Sequence, residues 1–140
     1  MIAEIIARLQ SQVPALKLVG GAAAFNAASQ ANPAATPAAF VFVVDESDDE
    51  NGLEQPMVQE STVTLAVVLV VRQVSDAQGA AAGADMDTLR QAVGAALRGW
   101  VIGADYDPLA RRQSALVAFR DGHMWWQETW LTRYFSVATG

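Results

Sequence analysis

A run of residues suited to one long β-strand, Met57–Gln73, contains neither glycine nor proline and is rich in β-branched side chains. Its first half alternates, so that Val63 and Leu65 point to one face of a sheet and Thr64 points to the other. Its second half, Ala66–Val71, is apolar at every position, which predicts burial on both faces. A strand that starts at an edge and ends deep in a core restricts the chain to folds built around an extended sheet.

The remaining elements follow from periodicity and turn residues. Amphipathic helices are predicted over Met1–Val13 and from an Asp85 cap to Gly99. Further strands are predicted at Ala15–Val19, Phe40–Val44, Ser114–Phe119 and, after the turn Asp121-Gly122, Met124–Phe135. The segment Ala22–Ala38 is predicted to be mostly loop, with a short helix over Ala22–Gln30 as the alternative, and Ser75–Gly83 is predicted to be a connector.

This order of elements predicts an α+β fold with a mostly antiparallel sheet of about four to five strands and two main helices packed on one face. The chain of 140 residues is expected to form a single domain, 1–140.

Composition excludes several classes of function. The chain has no cysteine and one histidine, so thiol catalysis, iron–sulfur clusters and multi-histidine metal sites are impossible. Its net charge of −6 disfavours binding to nucleic acid, which needs clustered cations. The N-terminus lacks the features of a signal peptide, and no apolar run is long enough to span a bilayer, so a soluble protein without a membrane partner is expected.

One stretch is strongly acidic, and clustered carboxylates are the ligands that calcium and magnesium prefer. It contains Asp45, Glu46, Asp48, Asp49 and Glu50. The EF-hand pattern fails, because counting from Asp45 puts Glu50 where the invariant glycine belongs and Pro56 at the final ligand. Like charges at this density repel one another, so the stretch is predicted to be a solvated acidic loop that holds no metal.

Catalytic motifs are equally weak. His123 could serve as a general base beside Asp121 and Ser114, but no nucleophile elbow accompanies them. A histidine directly after a hairpin turn is expected to be a surface residue. We therefore expect no catalytic residue, no cofactor and no enzymatic activity.

Three tryptophans lie within six positions of the last predicted strand. Alternation places Trp126 and Trp130 on one face and Trp125 on the other. Trp126 is predicted to be in the core, and the face of Trp125 is predicted to be a subunit interface, because aromatic residues and arginine are enriched at interface centres. The candidate interface residues are Trp125, Gln127, Thr129 and Arg133.

The second half of the chain resembles the tail terminator, or tail completion, proteins of long-tailed bacteriophages, and the helix Met1–Val13 agrees in kind. The matching pieces are Val70-Val71-Arg72, the connector through Gly79, Leu89-Arg90, Ala95-Ala96-Leu97, Gly99-Trp100, the stretch Asp121–Glu128 and Thr132-Arg133-Tyr134.

The resemblance implies a structural virion protein that caps the head-proximal end of a tail tube as a hexameric ring. Such a ring ends tube polymerisation and offers a surface to the head–tail connector. The implied partners are other copies of the chain, the tail tube protein and the connector or neck protein, with DNA only as passing cargo. The protein would occupy the host cytoplasm during assembly and the virion afterwards, and an acidic loop facing the ring lumen would repel DNA phosphates.

Three other functions stay open at this point. Another neck or connector protein could share this fold. A small hydrolase would show a pocket of converging polar groups, and a ligand-binding module would bind a small molecule as a monomer.

Overall fold

The computed structural model describes residues 1–49, 58–73 and 80–137. The elements in chain order are α1 (Ile2–Gln12), β1 (Leu18–Gly20), α2 (Ala22–Gln30), β2 (Ala38–Asp48), β3 (Val58–Arg72), α3 (Ala80–Leu97), β4 (Ala110–Arg120) and β5 (His123–Val137). The strands form one sheet in the order β1-β2-β3-β5-β4. Only β1 and β2 run parallel, and the other neighbouring pairs are antiparallel. The predicted α+β fold with a mostly antiparallel sheet is confirmed.

The strand β3 is the centre of the sheet, as the sequence predicts. It pairs with β2 on one side and along its whole length with β5 on the other. Residues Leu65–Val71 are all buried because helices cover both faces of this half of the sheet. The predicted first residue of the strand, Met57, lies outside the described residues.

The main core lies between the sheet and the helices α1 and α3. Ile5 and Leu9 of α1 and Met86 and Val93 of α3 pack there against alternate side chains of β3. Two helices therefore share one face, which agrees with the prediction.

The opposite face carries α2, over residues for which the sequence predicts mostly loop, with a short helix as the alternative. Phe25 of α2 packs its ring on Phe40, Phe42 and Trp125, and Ala28 is buried in the same cluster. The helix alternative is confirmed over Ala22–Gln30, and the loop prediction is wrong there. The hydrophobic periodicity of this segment is weak, because only a few side chains of the alanine-rich helix reach the sheet.

Several predicted boundaries move because tertiary contacts extend the elements. Helix α3 starts at Ala80, so the Ala80–Gly83 part of the predicted connector is helical, while Ser75–Gly79 lies outside the described residues. Asp85 is inside that helix instead of capping it, and its carboxylate accepts a hydrogen bond from Gln73 Nε2 at 3.1 Å.

Two turn predictions are confirmed by backbone angles. Gly99 has a φ of +78° just after α3, where a left-handed residue ends a helix. Asp121 and Gly122 have φ values of +52° and +71°, as the two central residues of a tight hairpin turn require. No helix among the residues described combines the length and the apolar character that crossing a bilayer demands.

Candidate interaction surface

The sheet ends in an exposed strand edge on each side. At one side β4 pairs only with β5, so its outer edge faces no other strand in the described chain; we call it the β4 edge. At the other side β1 covers only residues Ala38–Phe40 of β2, which leaves Val41–Asp48 without an outer partner strand among the residues described; we call this the β2 edge. Unpaired backbone groups at strand edges are ready to pair with another chain.

The two edges carry most of the large exposed apolar side chains. On the β4 edge, Leu116 is 52% exposed and Val117 is 57% exposed. On the β2 edge, Val44 is 54% exposed and Val43 is 40% exposed. Apolar residues concentrated on unpaired edges indicate a surface that is covered in an assembly.

The acidic stretch is placed mostly on the β2 edge and not in a loop. Asp45, Glu46 and Asp48 are residues of β2 and pair in register with Thr64, Val63 and Ser61 of β3. The loop prediction is therefore wrong for these residues, because pairing with the long strand β3 satisfies the backbone groups on their inner side despite the density of like charges. Asp49 follows the strand, and Glu50 lies outside the described residues. The acidic residues from Asp45 to Asp49 are all exposed.

Two of the acidic side chains are held by hydroxyl groups. Ser61 Oγ donates to Asp48 Oδ1 at 2.5 Å. Tyr134 donates its phenolic hydrogen to Glu46, and this hydrogen bond to the carboxylate raises the pKa of Tyr134. Both contacts tie the end of β2 to β3 and β5.

The structure reverses part of the predicted placement of the tryptophans in the core and at the surface. Trp125 is only 3% exposed and is packed under α2, so its assignment as an exposed interface residue is wrong for the folded chain. Trp126 is partly buried against the main core, where Trp130 is fully buried. The sequence could not foresee this because α2, which covers Trp125, was predicted as loop. Of the other candidate interface residues, Gln127 and Thr129 are half-buried and Arg133 is exposed.

A buried charge network, missed from sequence, joins β4 to α3 and β5. Glu128 lies on β5 between Trp126 and Trp130, with no exposed surface. Its Oε2 accepts hydrogen bonds from Arg111 Nη1 at 2.9 Å and from Arg90 Nε at 3.3 Å. Two guanidinium groups compensate a carboxylate that would otherwise be costly to bury.

The same network orients the surrounding side chains. Ser114 Oγ accepts hydrogen bonds from Arg90 Nη2 at 2.8 Å and from Trp126 Nε1 at 2.6 Å. The Arg90 guanidinium stacks 4.4 Å from the centroid of the Trp126 ring. One feature of the sequence does point to this network: Glu128 is two residues from both Trp126 and Trp130, so all three lie on one face of the strand. A carboxylate between buried indoles is itself buried and needs a cationic partner.

A model of the phage tail terminator protein family matches residues 2–138. The chain belongs to this family. Members of the tail terminator family are structural proteins of phage tails, and this chain is one of them. The family assignment agrees with the resemblance drawn from the second half of the sequence.

A solved structure of the same fold comes from an assembled particle. A chain titled as the virion of a native gene transfer agent particle has a TM-score of 0.63 to this tail terminator, at 11% sequence identity. The match covers 97% of this chain and 95% of that chain, so the whole fold is shared. Comparison with curated proteins gives no match.

The residues considered for catalysis do not converge in this tail terminator. His123 is buried, not at the surface as predicted, because it pairs between Arg72 and Arg120 in the sheet. Its Nδ1 lies 2.9 Å from the Asp121 carbonyl oxygen. Ser114 lies opposite Glu128, five residues along β5 from His123 and thus roughly 17 Å away at the rise of a strand. Within residues 1–49, 58–73 and 80–137, no three acidic or histidine side chains group as metal ligands.

The acidic residues of β2, and Asp49 directly after it, are expected to differ in their effect on stability. Asp45→Asn and Asp49→Asn should change the free energy of unfolding by less than about 0.5 kcal/mol, since both side chains are exposed. Asp48→Ala should cost about 1–3 kcal/mol, because it leaves the buried Ser61 hydroxyl without its acceptor. Asp48→Asn, which retains an acceptor oxygen, is the matched control. Urea denaturation measures all four, and equal losses in Asp45→Asn and Asp48→Ala would contradict this assignment, as would a large rise in melting temperature with calcium.

Proposed function

We propose that this chain caps the head-proximal end of a phage tail tube as a hexameric ring. The cap ends the addition of tube subunits and presents its other side to the head–tail connector or neck protein. The role is structural and uses no catalytic group and no cofactor.

The observation that carries the proposal is membership of the tail terminator family, joined to the placement of two different exposed edges at opposite sides of one sheet. Two unlike surfaces that bind each other form a head-to-tail contact, and such contacts close into a ring when the rotation between subunits allows it. A closed ring has one side for the tube and another for the connector, so a single layer is enough to stop polymerisation.

The acidic residues of β2 fit a structure through which DNA passes. Those carboxylates of the stretch that a neighbouring subunit leaves uncovered repel DNA phosphates where they face a lumen and disfavour adhesion, in contrast to the clustered cations of nucleic-acid-binding proteins. We therefore include DNA as passing cargo only. Assembly takes place in the host cytoplasm, and the finished ring remains in the virion.

The test is native mass measurement of the purified protein, alone and with tail tubes, together with tail length in a phage that lacks the gene. We expect a single ring at one end of each tube, and tubes of uncontrolled length without heads when the protein is missing. Isolated subunits need not assemble, since mass action at low concentration favours monomers. A single copy per particle, or tails of normal length without the protein, would refute the proposal.

A further inference from the structure

Each exposed edge is apolar along one part of its length and charged along the other part. The β2 edge is apolar at Val43 and Val44 and acidic from Asp45 onward, so its charge lies at the carboxyl end of the strand. The β4 edge is basic at Arg111 and Arg112 and apolar at Leu116 and Val117, so its charge lies at the amino end. An acidic end and a basic end of this kind can match only if the two strands run in opposite directions.

The sheet topology supplies that direction. Each of the steps from β2 to β3, from β3 to β5 and from β5 to β4 is antiparallel, so β4 runs opposite to β2. A second copy placed beside the first in the same orientation would bring its β2 edge antiparallel to the β4 edge. The antiparallel alternation of the sheet would then continue across the contact.

We propose that the β4 edge of one copy binds the β2 edge of the next, with Leu116 beside Val43 and Arg111 beside Asp48. This inference rests on the proposed ring and specifies the contact that builds it. The occupant of each edge is a second copy of this chain, because the acidic β2 edge and the basic β4 edge carry complementary charges.

The register follows from the face of the sheet on which these four side chains lie and from their spacing. Arg111 and Leu116 pair with Trp130 and Trp126, so both lie on the α1/α3 face of the sheet, and one bulge falls between them. Val43 and Asp48 pair with Leu65 and Ser61 on that same face, and one bulge falls between them as well.

Both intervals are five residues long and include one extra residue, so their ends meet on one face in an antiparallel pairing. Bulges also twist and bend a strand edge, which disfavours pairing with unrelated chains.

The opposite face contributes a second pair of charges. Asp45 pairs with Thr64 on the α2 face, and Arg112 is the extra residue of a β4 bulge and lines a surface depression with Leu131 and Arg133. The side chains of Asp45 and Arg112 are exposed and form no hydrogen bond or ion pair with other residues in the described parts of the chain. Charges left without a partner inside a subunit are available to one across a contact.

A charge exchange tests the contact. In this register Arg112 lies opposite Ser47, two residues along β2 from Asp45, so the long Arg112 side chain and Asp45 are diagonal neighbours across the contact. Arg112→Glu and Asp45→Arg each bring like charges together there, and each is expected to raise the concentration needed for assembly about tenfold or more. The double variant restores opposite charges and should recover assembly, and mixing the two single variants should recover it too. Arg72→Glu makes the same charge change at an exposed site at the end of the central strand β3, away from both edges, and should have no effect. Circular dichroism checks that every variant folds.

Cross-linking tests the register and the identity of the two surfaces. The chain has no cysteine, so Val43→Cys and Leu116→Cys each introduce a unique thiol. A short bismaleimide should join a Val43→Cys chain to a Leu116→Cys chain in the mixture and give few dimers with either variant alone.

Self-cross-linking of one variant would overturn the proposal, because it requires a symmetric contact. Rings of normal mass that neither cross-link nor respond to the charge changes would also overturn it, while leaving the proposed ring intact. Failure of the unmodified protein to form any ring on tubes would refute the proposed function itself.

Discussion

Replacing Arg90 and Arg111 together with methionine is expected to lower the free energy of unfolding by about 3–5 kcal/mol. Both arginines donate to Glu128 Oε2, and the Glu128 carboxylate has no exposed surface. The double variant leaves this acid buried without a cation, which costs far more than the loss of an exposed ion pair. Urea denaturation of the parent and the variant measures the difference.

The matched control removes the acid as well. The triple variant that adds Glu128→Leu no longer buries a charge, so it is expected to recover much of the lost stability, since apolar replacement of a whole buried ion network is often neutral or better. If the triple variant is less stable than the double, the carboxylate contributes in some other way and the assignment of the cost to an unpaired charge is wrong.

Truncating Trp125 to alanine is expected to cost about 3–5 kcal/mol and to reduce the yield of folded protein. The Trp125 ring is buried beneath α2, with Phe25 at a ring-centroid distance of 6.4 Å and the Arg120 guanidinium 4.9 Å from its centroid. Removing it leaves a cavity that α2 and β5 cannot close without moving. Thermal melting followed by circular dichroism gives the size of the loss.

Trp125→Phe separates packing from hydrogen bonding. The buried Trp125 Nε1 has no hydrogen-bond partner in the described structure, so phenylalanine gives up no hydrogen bond and should cost much less than alanine. A Trp125→Ala variant that melts like the parent would show that the second cluster does not support the fold.

The local sequence pattern was sufficient to predict those elements in which apolar side chains or turn residues recur at a clear spacing. The helix Met1–Val13, the long strand ending at Gln73 and the hairpin at Asp121-Gly122 were predicted correctly to within a few residues. In each of them the hydrophobic spacing or the turn residues follow directly from which side chains are buried and which φ angles are needed.

Pairing across the sheet decided the cases in which the sequence misled. The charge of Asp45–Asp48 predicts a loop, yet the extended β3 pairs with the backbone of this segment along its inner side, and the carboxylates remain in solvent. The burial of His123 has the same origin, because its neighbours on β3 and β4 are not adjacent in sequence.

The sequence by itself determined the fold class, the central strand, the two helices of the main core and the resemblance to tail terminators, because these depend on periodicity and on local motifs. Only the tertiary structure decided which tryptophan is buried, that Glu128 is held by Arg90 and Arg111, and that the acidic and basic edges lie at opposite sides of the sheet. Each of these depends on residues far apart in the chain that come together only when the sheet order is known. Sequence spacing fixes the face of a strand on which a residue lies, but the strand order fixes its neighbours.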